Sequence, residues 1–371
     1  MNSVYLNHAG TSWPKPDVVQ RAVQQALCET PENWGKRFDA CHSRIAEFFG
    51  IPNRDDLLLT PGCTSALSLA IFDQLLQPGD EVLTSGFEHH ALLRPLNKLG
   101  EHGVVTRVIP PTDDSLIDLE SLESSLKSGR VKLVAMTAAC NVTGDLLPWK
   151  EVGELCRRHG VPFLLDAAQV AGWFDLDLSR SSVDFVAFAA HKGLQSPWGI
   201  GGLYCSPQAE MNCQSASCSI EPPSADNKAT RPSYCDTGSV DRIAMEGLAA
   251  AIDWLEREET GKRLDRARAK IGRIEEVLKA DSRIEIVSRN PLHARLPTVA
   301  WIVDGVSPGE FANSLEQRGS IVSAGFQCAP IAHETLGTSE QGVIRLSVGP
   351  LTNDAEIDFT CEALQSALIA S

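Results

Sequence analysis

An α/β fold, with a mainly parallel sheet carrying helices on both faces, is predicted for the larger part of this sequence by three observations. Between residues 57 and 204, short β-rich runs (EVLTS, VVTRVI, KLVAMTA, PFLLDA, DFVAFAA, GGLYC) alternate with stretches whose apolar residues recur at helical spacing. That alternation implies right-handed crossovers between parallel strands. Several of the runs are apolar along nearly their whole length, as strands covered on both faces must be. Finally, 371 residues with 43% hydrophobic content leave room for a large core and more than one domain.

Taken in order, residues 1–15 read as an extended lead-in, because Trp13-Pro14-Lys15-Pro16 places prolines where they disfavour helix in the preceding residue. Asp17 then precedes VVQRAVQQAL and is expected as a helix N-cap. The large domain is expected over residues 16–245. Within it, residues 206–233 turn to Ser, Pro, Asn and Cys with little periodicity and read as a long loop. A helical stretch over residues 244–273 links to a smaller α+β domain, residues 246–371. There IEIV, TVAWIV and VIRLSV read as strands, and SPGEFANSLEQRG and DAEIDFTCEALQSAL as helices.

Composition excludes several classes of function. A formal net charge of −15, with no cluster of Lys and Arg, argues against a nucleic-acid surface. No apolar run approaches the roughly 18 residues of a membrane span, and the opening MNSVYLNHAG lacks a basic segment followed by an apolar one. A cytoplasmic location is therefore expected. Eleven cysteines, an odd number without a CxxC pair, argue against a disulfide framework and a zinc ribbon. Cys213, Cys218 and Cys235 lack tight metal-ligand spacing, so no metal site is expected. A nicotinamide dinucleotide site is disfavoured too, since no G-x-G-x-x-G follows the first strand and Gly199-Ile200-Gly201-Gly202 precedes a strand.

The chemistry is expected where two buried runs end. LLDAAQ closes on Asp166 and the run VDFVAFAA leads into His191-Lys192-Gly193, so each delivers polar groups to a crevice at the carboxyl edge of the sheet. A lone Asp or Lys at a strand end is most often a solvated surface residue. Together they suit pyridoxal phosphate, because a lysine can hold it as a Schiff base and an aspartate can keep the pyridine nitrogen protonated. Thr60-Pro61-Gly62-Cys63-Thr64-Ser65, before the helical pattern ALSLAIFDQLL, offers the free backbone N–H groups of a helix start to an anion such as a phosphate. The same residues would equally make an ordinary N-cap.

LLDAAQ and AFAAHKG together resemble the paired signatures of the class V aminotransferases, the fold type I pyridoxal phosphate enzymes, and especially their cysteine desulfurase and selenocysteine lyase branch. The resemblance runs from Tyr5-Leu6-Asn7 to the last helix. It implies pyridoxal 5'-phosphate as cofactor, held covalently by Lys192, with Asp166 on the pyridine nitrogen and Gln169 donating to the ring oxygen. Cys63 and Thr64 take the positions of two phosphate-binding threonines, and His191 is placed near the phosphate. Glu88-His89-His90 resembles the family's EHH motif, in which His89 stacks on the ring and moves protons, His90 being structural. Ala139-Cys140-Asn141-Val142-Thr143-Gly144 resembles a turn whose asparagine, here Asn141, reaches the ring hydroxyl or the substrate.

Further along, Gly238-Ser239 stands where relatives have Gly-Thr, whose hydroxyl reaches the neighbouring subunit's phosphate, implying a homodimer. Residues 323–333 (SAGFQCAPIAH) resemble the desulfurase loop, in which Cys328 would accept sulfur or selenium from a small amino-acid substrate and could pass it to an acceptor protein. Arg345, in VIRLS, matches the arginine that grips the substrate carboxylate. Three positions depart from the pattern: Ala189 lacks a hydroxyl, Gln327 replaces a histidine and Ser323 an arginine. An aminotransferase, an epimerase or a cystine C–S lyase without a catalytic cysteine is the alternative, and Tyr5-Leu6-Asn7-His8 resembles the opening of the epimerase branch. A non-catalytic binding protein is disfavoured by the retained Asp166, Gln169, His191 and Lys192, since a buried lysine is costly to keep without a task.

Overall fold

The computed structural model describes residues 3–209, 211 and 240–370. Most of the loop expected over residues 206–233, the three cysteines within 213–235, and Ser239 lie outside the described residues.

Seven strands form the main sheet: β2 (Leu57–Thr60), β3 (Glu81–Ser85), β4 (Val105–Ile109), β5 (Val131–Thr137), β6 (Phe163–Asp166), β7 (Phe185–Ala189) and β8 (Gly201–Cys205), in the order β2-β8-β7-β6-β5-β3-β4. All run parallel except β8, which is antiparallel to both β7 and β2. The exception follows from chain length. Residues 190–200 join β7 to β8, fewer than the dozen or so that a parallel crossover requires.

Consecutive residues of the central strands face opposite layers. Leu58, Leu133, Leu164 and Phe185 pack with the helices α3 (Cys63–Asp73) and α4 (His90–Gly100), whereas Leu57, Val134, Leu165 and Val186 belong to the second, larger core. Double coverage explains why β6, β7 and β8 are buried at every residue. Only the outermost strand, β4, shows exposed valines, Val105 and Val108.

The chain opens with β1 (Val4–Tyr5), followed by α1 (Asp17–Cys28) and α2 (Trp34–Phe48). Asp17 is not the N-cap that was expected. Pro16 holds that position, and Asp17 is the first helical residue, where its charge still complements the helix dipole. Between α4 and β6 lie α5 (Leu119–Leu126) and α6 (Trp149–His159). The helix expected over residues 244–273 is two helices, α7 (Arg242–Leu255) and α8 (Thr260–Lys279). No Pro marks the break, and the nearest Gly, Gly261, is already in the first turn of α8. Instead the buried Arg263 turns back to donate to the Leu255 carbonyl at the end of α7 (2.8 Å) and to the Gly172 carbonyl (2.8 Å), satisfying an acceptor that a continuing helix would have claimed. α7 packs against α1 and α2, so the expected boundary at residues 245–246 falls inside a helix that leans on the N-terminal part.

Beyond α8, β9 (Ile284–Ile286), β10 (Thr298–Val303), α9 (Pro308–Gln317), β11 (Ser320–Ile321), β12 (Ser323–Gly325), α10 (Pro330–Leu336), β13 (Val343–Ser347) and α11 (Asp354–Ala370) complete the smaller α+β unit. Its antiparallel sheet has the order β12-β13-β10-β9. β1 pairs in parallel with β11, which ties the N-terminal segment to this unit. No helix of the described residues is long and apolar enough to cross a membrane.

Candidate functional site

Parallel strands bring their carboxyl ends to one edge of the sheet, and the expected site residues gather there. Asp166 is the last residue of β6, Lys192 lies in the turn after β7, Asn141 in the turn after β5, His89 after β3, and Cys63 opens α3 after β2. The turns after β6 and β7 press backbone to backbone. A Cβ on Gly193 would come within 2.3 Å of the Ala171 carbonyl oxygen, and one on Gly172, whose φ is +87°, within 2.4 Å of the Gly193 oxygen. Glycine at both positions lets the two turns lie this close.

The Asp166 carboxylate is buried and asymmetrically bonded. Its Oδ1 accepts from the Ala168 N–H (2.9 Å) and from the Cys63 thiol (3.3 Å). No hydrogen bond from the described residues reaches Oδ2. Burial first, and the Asp166 charge second, push the Cys63 thiol well above its usual range, so it stays protonated and donates. The side chain of Cys63 is thus turned to the carboxylate rather than toward the start of α3, and what that start offers an anion is backbone. Gly62 at the N-cap makes no side-chain cap, a Cβ there would meet nothing within 4 Å, and Thr64 is exposed.

Lys192 is partly buried in the turn after β7. Burial lowers its pKa, opposed by the charge of Asp166 and assisted by that of Arg345. The Lys192 amine makes no hydrogen bond among the described residues, while its carbonyl accepts from the Gln195 N–H. His89 caps α4 by accepting the Ala91 N–H on Nδ1 (3.0 Å), which leaves the proton on Nε2. Burial, then the Lys192 charge, lower its pKa to about 4, so the ring is neutral.

Glu88, adjacent to His89, is fully buried. It accepts from the Thr137 N–H (2.9 Å), the Ser85 N–H (3.3 Å) and the Ser85 hydroxyl, linking the ends of β3 and β5. Burial is the main cause that raises its pKa to about 8.

On the side of the smaller unit, Asn141 and Arg345 form a single arrangement with the loop that carries Cys328. Asn141 Nδ2 donates to the Gln327 carbonyl (2.7 Å), and its buried Oδ1 has no partner among the described residues. The Asn141 carbonyl accepts from Arg345 Nη1 (2.6 Å), while Arg345 Nη2 donates to Asn7 Oδ1 (2.7 Å). Arg345 is 4% exposed, pairs with no carboxylate among the described residues, and its Nε is unpartnered. Burial lowers its pKa to about 10, leaving it charged at neutral pH. Gln327 and Cys328 both adopt left-handed backbone, with φ of 49° and 56°. That bend is held by the His90 N–H on the Cys328 carbonyl (2.8 Å) and by the Ser323 hydroxyl on Gln327 Oε1 (2.9 Å), and it leaves Cys328 exposed.

The remaining expected residues meet the N-terminal segment. Gln169 Nε2 donates to the Ala9 carbonyl (3.1 Å). His191 Nδ1 accepts from Trp198 Nε1 (2.9 Å) and lies 3.1 Å from Thr11 Oγ1, while its carbonyl accepts from Ser12 and from Lys15 Nζ. Ala189 is buried in β7, and Ser239 lies outside the described residues. Sequence reasoning missed Asn7, Thr11, Lys15, Trp198 and the role of Glu88. For Glu88 a signal existed, since an acid directly before His89 follows a buried strand. Thr11 and Lys15 meet His191 across most of the large domain, and no local pattern announces that.

Residues 4–359 match the family model described as Aminotransferase class-V. A probable cysteine desulfurase of Pseudomonas aeruginosa is 31% identical, covering 95% of this chain and 90% of its own length. One from Vibrio cholerae is 28% identical over 98% and 93%. Among solved structures, the apo cysteine desulfurase of Thermococcus onnurineus superposes with a TM-score of 0.91 at 24% identity, covering 100% of this chain and 95% of that one. A cysteine desulfurase of Escherichia coli gives 0.88 at 24% identity, over 99% and 95%.

Proposed function

Because the chain belongs to the class-V aminotransferase family, in its cysteine desulfurase-like branch, we propose that it is a pyridoxal phosphate-dependent enzyme that takes sulfur or selenium from cysteine or selenocysteine onto Cys328. The observation that carries this reading is the placement of Cys328, exposed on a left-handed bend whose carbonyls are held by His90 and Asn141. A thiol fixed there is open both to a substrate in the crevice and to an acceptor protein outside it.

The residues present fit pyridoxal 5'-phosphate. Among the described residues the Lys192 amine makes no hydrogen bond, none reaches Asp166 Oδ2, Asn141 Oδ1 is buried without a partner, and the start of α3 has no side-chain cap and has room at Gly62. Lys192 would hold the group, Asp166 would face its pyridine nitrogen, and the N–H groups at the start of α3 would take its phosphate. When bound, the group supplies an electron sink for the amino acid's carbon skeleton.

Arg345 binds the substrate carboxylate. Lys192 Nζ, its pKa lowered by burial, is suited to accept the proton from the α-carbon. Cys328 Sγ, as thiolate, forms a bond to the substrate sulfur as the carbon–sulfur bond breaks, leaving a persulfide. Lys192 and His89 return protons to the skeleton, which leaves as alanine. A homodimer, expected from Gly238-Ser239, belongs to the same proposal.

The test is Cys328→Ala incubated with L-cysteine, with alanine, sulfide and pyruvate assayed together. The variant should still bind cysteine and should fail to release alanine. Full alanine production would exclude a persulfide at Cys328, and pyruvate with ammonia from the unaltered protein would replace desulfuration by elimination.

A further inference from the structure

We propose that Asn7 is a specificity-determining residue of the substrate site, one that orients Arg345 through a neutral oxygen and so leaves its positive charge for the carboxylate of the bound amino acid. The inference rests on the proposed grip of Arg345 on that carboxylate, and it concerns how the grip is set.

Arg345 makes two hydrogen bonds through its terminal nitrogens, to the Asn141 carbonyl (2.6 Å) and to Asn7 Oδ1 (2.7 Å). Both acceptors are uncharged. A buried guanidinium ordinarily acquires a carboxylate partner, because an unpaired charge inside a protein is costly. Among the described residues Arg345 has none, and its buried Nε has no partner of any kind. A cation oriented by dipoles alone keeps its full attraction for an incoming anion.

Asn7 itself is well fixed. Its carbonyl accepts from the Gly10 and Thr11 N–H groups and from the Tyr5 hydroxyl (3.1 Å). Its side chain lies against Gly10, where an added Cβ would sit 3.1 Å from both Nδ2 and Oδ1. On either side, the Leu6 carbonyl accepts from the Ser347 N–H, and the Ala9 N–H donates to the Ser347 hydroxyl (2.8 Å), which pins the segment to the strand carrying Arg345. Asp is the same size as Asn. At position 7 it would place a carboxylate in hydrogen-bond contact with the guanidinium and satisfy the charge before substrate arrives.

The experiment titrates the cofactor-loaded protein with L-alanine and with ethylamine, its counterpart without the carboxylate, following heat by calorimetry. Asn7→Asp should weaken L-alanine by roughly tenfold or more, since one neighbouring opposite charge is commonly worth about a pKa unit or more, and should leave ethylamine unchanged. A merely structural role for Asn7 would move both ligands together and would overturn the proposal. Asn7→Ala, which removes the oxygen without adding charge, should weaken L-alanine by a smaller factor; if Asn7→Asp does not fold, unchanged L-alanine binding in Asn7→Ala overturns the idea by itself. Arg345→Ala separates the two levels. If it weakens L-alanine and Asn7→Asp does not, the role of Asn7 fails while the carboxylate site stands. If Arg345→Ala leaves L-alanine unaffected, the carboxylate site fails and the role of Asn7 with it.

Discussion

Replacing Glu88 by Gln should make the protein more resistant to alkali, and by a calculable amount. The Glu88 carboxyl is fully buried between Ser85 and Thr137, and its pKa rises from 4.5 to about 8, burial being the main cause. The folded state therefore keeps a proton that the unfolded chain releases above pH 4.5, so stability falls as pH rises from the unfolded value to the folded one and is level beyond it. At about 1.36 kcal/mol per pKa unit, the stretch from about pH 6 to about pH 8 corresponds to roughly 2–3 kcal/mol. Gln cannot ionise, yet its side-chain oxygen can still accept a backbone N–H as the Glu88 carboxyl does from Thr137. Urea unfolding of both proteins near pH 6 and near pH 9 checks this, because every other titrating group cancels in the difference. The variant should gain on the wild type by that amount at the higher pH. A difference that is the same at both pH values, or a wild type that gains, would refute a neutral buried Glu88.

Three further outcomes are expected. Borohydride treatment of the cofactor-loaded protein should fix the cofactor to Lys192 and to no other lysine in peptide mapping, and Lys192→Ala should lose the label while keeping the fold. Alkylation of the native protein should modify Cys328 and Cys28, both exposed, and spare the buried Cys63, Cys140 and Cys156, whose thiols are pushed up by burial; labelling of Cys63 before unfolding would contradict its enclosure against Asp166. Asp145→Ala should cost about 3 kcal/mol in urea unfolding, because it strands donors that now reach the carboxylate from Ser288 (2.7 Å), Arg289 (3.0 Å) and Asn290 (3.2 Å). A loss under about 1 kcal/mol would show that water replaces it freely.

The central sheet and its carboxyl-edge residues were legible because burial on two faces leaves an unmistakable run. Val183 to Ala190 offers nothing polar but Asp184 before His191-Lys192, and such a run ends where chemistry can begin. What escaped were features settled between distant parts of the chain. The direction of β8 is a matter of connection length, and GGLYC itself is neutral on it. The break between α7 and α8 is marked locally only by Thr260-Gly261, and it is Arg263 reaching backward that caps the end of α7. Cys63 looked like a phosphate ligand by position, and only the proximity of Asp166 shows where its thiol points. Asn7 was visible merely as part of an opening motif, since its partner Arg345 lies near the other end of the chain.

The pairing of β1 with β11 also has a consequence for the order of events at the ribosome. Val4 aligns with Ser320 and Tyr5 with Ile321, and the strand segment Leu6-Asn7 then leans on Ser347. Synthesis proceeds from the N-terminus, so residues 4–12 emerge long before residues 320–347 and must wait, without those partners, until they have been made. The large sheet can close in the meantime, because all seven of its strands precede residue 206. Asn7 reaches Arg345 only once β13 has left the exit tunnel. A nascent chain can thus own a finished sheet while Arg345, the proposed anchor of a substrate carboxylate, is still unmade.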